Sequence, residues 1–189
     1  HSVARKNVVR HVRNGFTQPT LLASNPTALL GFGTSLIVES NVIEDCAGDG
    51  MRISADGAEV VKNRVARCGN DGSFGFIGDG VSFLIGSNVV LGMRGDGFIV
   101  NVTTATVTGN RASGCTRDGF EANFPMQTFE KNTATGNGAE GFDLSAPNLT
   151  FRKNVAKGNR LDVAASIPVA TFEVNSFGTG GPLTPPEVD

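Results

Sequence analysis

The stretch Thr128-Phe-Glu-Lys-Asn132-Thr-Ala-Thr-Gly-Asn-Gly-Ala-Glu-Gly-Phe142 decides the fold, because its parts recur at fixed offsets through most of the chain. Asn132 stands in a column with Asn41, Asn63, Asn88, Asn110 and Asn154, at successive intervals of 22, 25, 22, 22 and 22 residues. Two residues after each Asn comes a small or branched apolar residue (Ile43, Val65, Val90, Ala112, Ala134, Ala156). Three further on comes a Cys, Met or Asn (Cys46, Cys68, Met93, Cys115, Asn137, Asn159). A Gly followed by a large apolar residue closes the unit at Gly50-Met51, Gly75-Phe76, Gly97-Phe98, Gly119-Phe120 and Gly141-Phe142. Five and three residues before the Asn lie further apolar pairs, such as Ala58/Val60, Phe83/Ile85, Ala105/Val107 and Leu149/Phe151. Within each segment the alternation has a period of two, which is strand periodicity.

A repeat of this length signals a solenoid, in which one unit cannot bury its apolar side alone and must stack on the next. About 22 residues hold three strands of roughly 4 to 5 residues and three turns. The expected fold is therefore all-β: a single-stranded right-handed parallel β-helix of about six to seven coils. The Asn column is expected to take the left-handed backbone of a tight bend. Its side chains, stacked about 4.8 Å apart, are expected to hydrogen-bond along the column. The solenoid is expected over 1–177, with an irregular first coil over 2–16, an inserted loop over 17–35, regular coils over 36–160 and a partial last coil over 161–177. Residues 178–189 read as an extended or disordered tail.

Composition narrows the partners. The net charge of -2 gives no electrostatic case for nucleic acid, and no apolar run approaches the ~20 residues of a membrane span. No secretory signal is legible, and a chain opening on His1 reads as a mature form or a fragment. Cys46, Cys68 and Cys115 share one repeat position and are expected to point inward as small hydrophobes. A Cys46–Cys68 disulfide is the alternative, and metal binding lacks the CxxC pairing it needs. The insertion Gln18–Leu30 carries Asn25-Pro26 ahead of Thr27-Ala-Leu-Leu30, an N-cap signal for a one-turn helix. Its leucines would cover the open end, make a subunit contact or line a ligand cleft. A second, smaller insertion, Gly69 to Phe74, accounts for the 25-residue interval.

Two outward columns carry candidate chemistry. The residues before the Gly read Asp49, Phe74, Asp96, Asp118, Glu140. They are either Asp-Gly turns in which Asp bonds its own local backbone, or a Ca²⁺ ladder for which Asp96, Asp118 and Glu140 are the candidate ligands. The strand after the Gly presents Arg52, Ile77, Ile99, Glu121 and Asp143. Glu121 and Asp143 should lie about 5 Å apart in neighbouring coils, and two like charges that close separate into an acid and a base. The candidate catalytic set is Glu121, Asp143, Arg52 and Arg117. The candidate substrate-binding set is Asn101, Asn123, Asp118, Glu140 and Arg94. The alternative is a solvated surface balanced by arginines. His11, in register with Asp45 and Arg67, is either a carboxylate-held general base or an ordinary surface histidine.

Through units such as 128–142, the chain resembles the pectate-lyase-like superfamily of right-handed β-helix repeat proteins over residues 36–160. In members that act on acidic polysaccharides, the strand bearing the Glu121/Asp143 column lines the sugar groove, so the resemblance implies that location here. The Tyr-Gly-x-Asp-Pro-His signature of mannuronan epimerases is absent. Absent too are the Gly-His-Gly and Arg-Ile-Lys elements of polygalacturonases and the Ca²⁺-binding nonapeptide of secreted epimerases. Two readings stay open for a secreted or periplasmic protein with a polysaccharide or glycan partner. One is a lyase or epimerase acting on acidic polysaccharide, with Ca²⁺ or without a cofactor. The other is a non-catalytic binding, adhesive or self-assembly module, homo-oligomeric through uncapped ends or loop 17–35.

Overall fold

The structure is a computed structural model that describes residues 3–10, 27–69, 73–166, 169–173 and 175–178, with the backbone alone for 9 and 10. It is an all-β parallel right-handed solenoid of about six turns. An 11-stranded sheet carries the first and second strand of each coil, and an 8-stranded sheet carries the third. Equivalent letters of the repeat stack in register: Phe98 lies opposite Phe76 and Phe120, and Ala112 opposite Val90 and Ala134. No helix among the described residues is long and apolar enough to cross a membrane.

In the earlier coils the first two strands run together as Leu29–Glu39, Met51–Val61, Ser73–Gly86 and Gly95–Thr108. In the later coils they separate, into Phe120–Ala122 with Thr128–Glu130 and Glu140–Leu144 with Thr150–Arg152. Pro125 and Pro147 lie in these breaks, where a residue without an N–H cannot donate to the inter-coil hydrogen bonds.

Each corner of a coil is turned by a residue with φ near +60°. The first corner uses Ser35, Gly57 (at φ +81°), Ser82, Thr104, Met126 and Asn148. The second uses Lys6, Ser40, Lys62, Ser87, Gly109, Lys131 and Lys153. The third uses Asp45 and Arg67, then Gly92, Gly114, Gly136 and Gly158. This corrects the expectation for the Asn column: the residue before each Asn, not the Asn, takes the left-handed conformation. What the Asn contributes is hydrogen bonding. Oδ1 of Asn110 accepts both the backbone N–H (2.9 Å) and Nδ2 (3.0 Å) of Asn88, while its own Nδ2 donates to Ile85 O (2.8 Å) and to Asn132 Oδ1 (3.1 Å). The pattern repeats from Asn7 to Asn175. Only a side chain with one acceptor and two donors at this reach satisfies every polar group of a buried corner.

The Gly column answers to space. A Cβ on Gly119 would sit 2.6 Å from Gly141 O and 2.7 Å from Asn137 Nδ2, and Gly50, Gly75 and Gly97 meet the next coil's carbonyl in the same way. That close approach lets the following apolar residue enter the core. Phe98, Phe120 and Phe142 stack there with centroids 4.7 and 4.8 Å apart and nearly parallel rings. Cys46, Cys68 and Cys115 are buried thiols, none of them in a disulfide; burial pushes Cys115 up to about 11, so it is held as the neutral thiol.

The first regular coil begins earlier than expected. Leu29 and Leu30 lie in a strand opposite Met51 and Arg52, so the one-turn helix over Thr27–Leu30 does not form and the insertion is shorter than 17–35. Ala28-Leu29 occupies the place of Gly50-Met51, with the N–H groups of Ala28 and Leu29 donating to Asp49 O and Gly50 O. The first coil keeps its expected register, Val8–Arg10 pairing with Val42–Glu44. After the second insertion the register resumes at Ser73, opposite Gly95. Asn25-Pro26, His11 and the tail from residue 179 lie outside the described residues.

Candidate functional site

The site is built on the outward side of the first strands. Beyond the large apolar residue that enters the core, the next outward position reads Leu30, Arg52, Ile77, Ile99, Glu121, Asp143, with Glu121 aligned opposite both Ile99 and Asp143. Ile77 and Ile99 are buried although they face outward, which makes an apolar floor between Arg52 on one side and the two carboxylates on the other. Two residues further along each strand lies a second row: Phe32 opposite Ser54, Ser54 opposite Asp79, Asp79 opposite Asn101.

That second row is tied together. Arg52 Nη2 lies 3.3 Å from Asp79 Oδ2, Asn101 Nδ2 donates to Asp79 Oδ1 (3.2 Å), Asn123 Nδ2 donates to Asn101 Oδ1 (3.1 Å) and to Glu121 Oε1 (2.9 Å). In the next coil Ser145 Oγ donates to Asp143 Oδ1 (2.7 Å). A shallow polar depression at the other end is lined by Gly33, Ser54, Ala55, Asp56, Asp79 and Gly80. The expected substrate-binding residues Asn101 and Asn123 are thus brought together. Asp79, which links Arg52 to Asn101, was missed, although it sits in the same register as both asparagines.

The candidate catalytic residues are not one constellation. Glu121 and Asp143 are neighbours in register. Arg52 lies three coil steps before Glu121 in the same column and is engaged by Asp79. Arg117 lies at the corner, with Nη1 3.2 Å from Asp96 Oδ2. Arg94 is exposed at the preceding corner, after Met93.

The carboxylate column before the Gly is structural at its base. Asp49 Oδ1 accepts from Phe74 N (3.1 Å), Asp96 Oδ1 from Asp118 N (3.0 Å) and Asp118 Oδ1 from Glu140 N (2.8 Å). Each therefore binds the backbone of the next coil, and Asp96 bonds its own backbone as well, so the expected local turn bond is there joined by one between coils. Asp96 is fully buried and its Oδ2 has no aligned hydrogen bond, so the Arg117 guanidinium is its counterion. Burial raises the pKa of Asp49 and of Asp96. Burial, and then a hydrogen bond shared with the Glu140 carboxylate, push Asp118 up to about 7. The same shared bond lowers Glu140, which also has Arg160 Nη2 at 3.4 Å. Below about pH 7 the pair therefore holds one proton, on Asp118. Among the described residues no three Asp, Glu, His or Cys side chains gather as a metal-holding group. The Arg67–Asp45 half of the stack expected with His11 is present, at 2.7 Å.

No family model and no curated protein matches the sequence. Among solved structures, the chain is similar to a Thr-to-Asn mutant of the periplasmic alginate epimerase AlgG, with a TM-score of 0.62 and 18% identity over 82% of this chain and 42% of that one. A second structure of the periplasmic alginate epimerase AlgG matches with a TM-score of 0.59 and 12% identity, over 83% of this chain and 51% of that one. The chain thus spans about half the length of these neighbours or less, and at these identities the likeness is one of fold.

Proposed function

We propose that this is an extracytoplasmic, carbohydrate-interacting β-helix whose glycan lies on the outward face of the first strands. The observation that carries the reading is the hydrogen-bonded row from Arg52 through Asp79, Asn101 and Asn123 to Glu121, which crosses four coils above the Ile77/Ile99 floor. Amide and carboxylate groups fixed by one another present oriented donors and acceptors at a spacing set by the coils. Sugar hydroxyls need that arrangement, and the preorganisation lowers the cost of binding. The likeness of fold to a periplasmic enzyme named for a polysaccharide supports both the ligand class and the location. Glycan screening of the wild-type chain beside Asn101→Ala/Asn123→Ala tests the reading. Binding that the double variant loses by about tenfold or more is expected, and binding that it retains in full would place the ligand elsewhere.

A second reading, a lyase or epimerase acting on acidic polysaccharide, is favoured by the alignment of Glu121 with Asp143. In that reading the two carboxylates divide the roles of acid and base, while Arg52 and Arg117 offset charge. The 3.3 Å and 3.2 Å ion pairs of those arginines with Asp79 and Asp96 leave this arrangement less assembled than the binding row. Incubation with uronate polymers, with and without Ca²⁺, followed for unsaturated ends in the ultraviolet and for epimer ratio by NMR, separates the two readings. An unchanged polymer under both conditions excludes the catalytic one.

A further inference from the structure

We infer that the outward row Phe32, Ser54, Asp79, Asn101 and Asn123, completed by Phe124, binds an uncharged polysaccharide running along the solenoid axis, with about one sugar unit per coil. The inference rests on the glycan-facing reading above and names its ligand. The described core keeps Phe98, Phe120, Phe129, Phe142 and Phe151 fully buried, yet leaves Phe32 and Phe124 exposed at 65% and 41%. Phe32 stands in the row itself, opposite Ser54. Phe124 follows Asn123 at the other end. By count it falls in the inward register of Val102 and Ala146, both buried, but the strand breaks before Pro125 and the ring is left in solvent.

From Phe32 to Asn123 there are four coil steps, about 19 Å at the usual spacing between strands. That is close to the length of four linked pyranose rings. An exposed ring offers a flat apolar surface to the C–H face of a sugar, and the amides and carboxylates between the two rings take its hydroxyls. The charge of the row decides which sugar. Asp79, Glu121 and Asp143 border it, and the one cation in the hydrogen-bonded row, Arg52, is already paired with Asp79. A polymer bearing a carboxylate on each unit would meet like charge, unpaired among the described residues, at Glu121 and at Asp143 in the next coil, and at Asp79 a carboxylate whose cation is already engaged, which disfavours it relative to an uncharged chain.

Calorimetry on the full chain tests this with neutral β-1,4-linked mannan and glucan oligosaccharides of about two to six units, beside oligouronates of the same lengths. Affinity for a neutral series is expected to rise to about four or five units and then level. Phe32→Ala and Phe124→Ala are each expected to weaken hexasaccharide binding about five- to tenfold, the size of a lost aromatic contact, with an unchanged thermal melt. Hexasaccharide binding untouched by both variants, or tighter binding of oligouronates, overturns the inference while leaving the glycan-facing reading in place. Absence of binding by both ligand classes overturns the two together.

Discussion

The earlier and later coils write the same repeat in two chemistries. From Leu29 to Thr108 the first two strands run unbroken, and the third corner is filled by Cys46, Cys68 and Met93. From Phe120 onward the strands are split at Pro125 and Pro147, and the third corner is filled by Asn137 and Asn159. The difference bears on how a buried N–H is satisfied. Cys46 N donates to Cys68 Sγ, a weak acceptor, at 3.3 Å. Cys115 N and Asn137 N each have an amide oxygen at 3.0 Å, and Asn137 Nδ2 extends the chain to Asn159 Oδ1 (2.9 Å). A sulfur column fills volume and asks for little. An amide column adds hydrogen bonds but makes each member depend on the next.

The corner common to both halves gives the largest expected effect. Gly119→Ala places a methyl against a backbone carbonyl and a fixed amide, so the coils must separate. A loss of about 3 kcal/mol is expected by urea denaturation, the upper end for overpacking. Gly136→Ala, with φ +63° and nothing near its Cβ, is expected to cost only about 1 kcal/mol, from its backbone conformation alone. Equal losses would mean that close coil contact is not what the Gly column protects.

The two fillings of the third corner come next. Asn137→Ala leaves Cys115 N without its acceptor and is expected to cost about 2 kcal/mol. Cys68→Ala removes a weaker partner and a small volume, and is expected to cost about 1 kcal/mol. If the order reverses, the amide column is no stronger than the sulfur column and the contrast between the halves is one of shape only.

The smallest effect lies in the later coils and is a pH dependence. Asp118 is raised in the folded chain above its ordinary 3.8, to about 7, so the native state holds a proton that the unfolded chain releases. Its contribution is fully present below pH 3.8 and is lost as pH rises toward 7. The lowered Glu140 works in the opposite sense at the acid end. With that contribution discounted to about 1 kcal/mol for solvent screening of the partly exposed pair, the melting temperature is expected to fall by roughly 2 to 4 °C between about pH 5 and pH 8, and Asp118→Asn is expected to flatten the slope. A slope that the variant keeps would assign the dependence to another group.

Much of this molecule is written in its residue order. The recurrence of Asn, of Gly before a large apolar residue, and of alternation between them announces the coil length and the inward columns, because the direction of a side chain along a strand depends only on local parity. The same parity placed Glu121 beside Asp143 and Asn101 beside Asn123. Contacts between coils were not legible in that way. Asp96 reaches the backbone of Asp118 as well as its own, the left-handed residue precedes the Asn, and Ala28-Leu29 begins a coil without the Gly that marks the others. Asp79 joins Arg52 to Asn101, and Phe124 stands outside where Val102 and Ala146 stand inside. Each of these depends on which backbone groups a neighbouring coil leaves unsatisfied and how much room its corner leaves. Such quantities exist only once the coils are stacked.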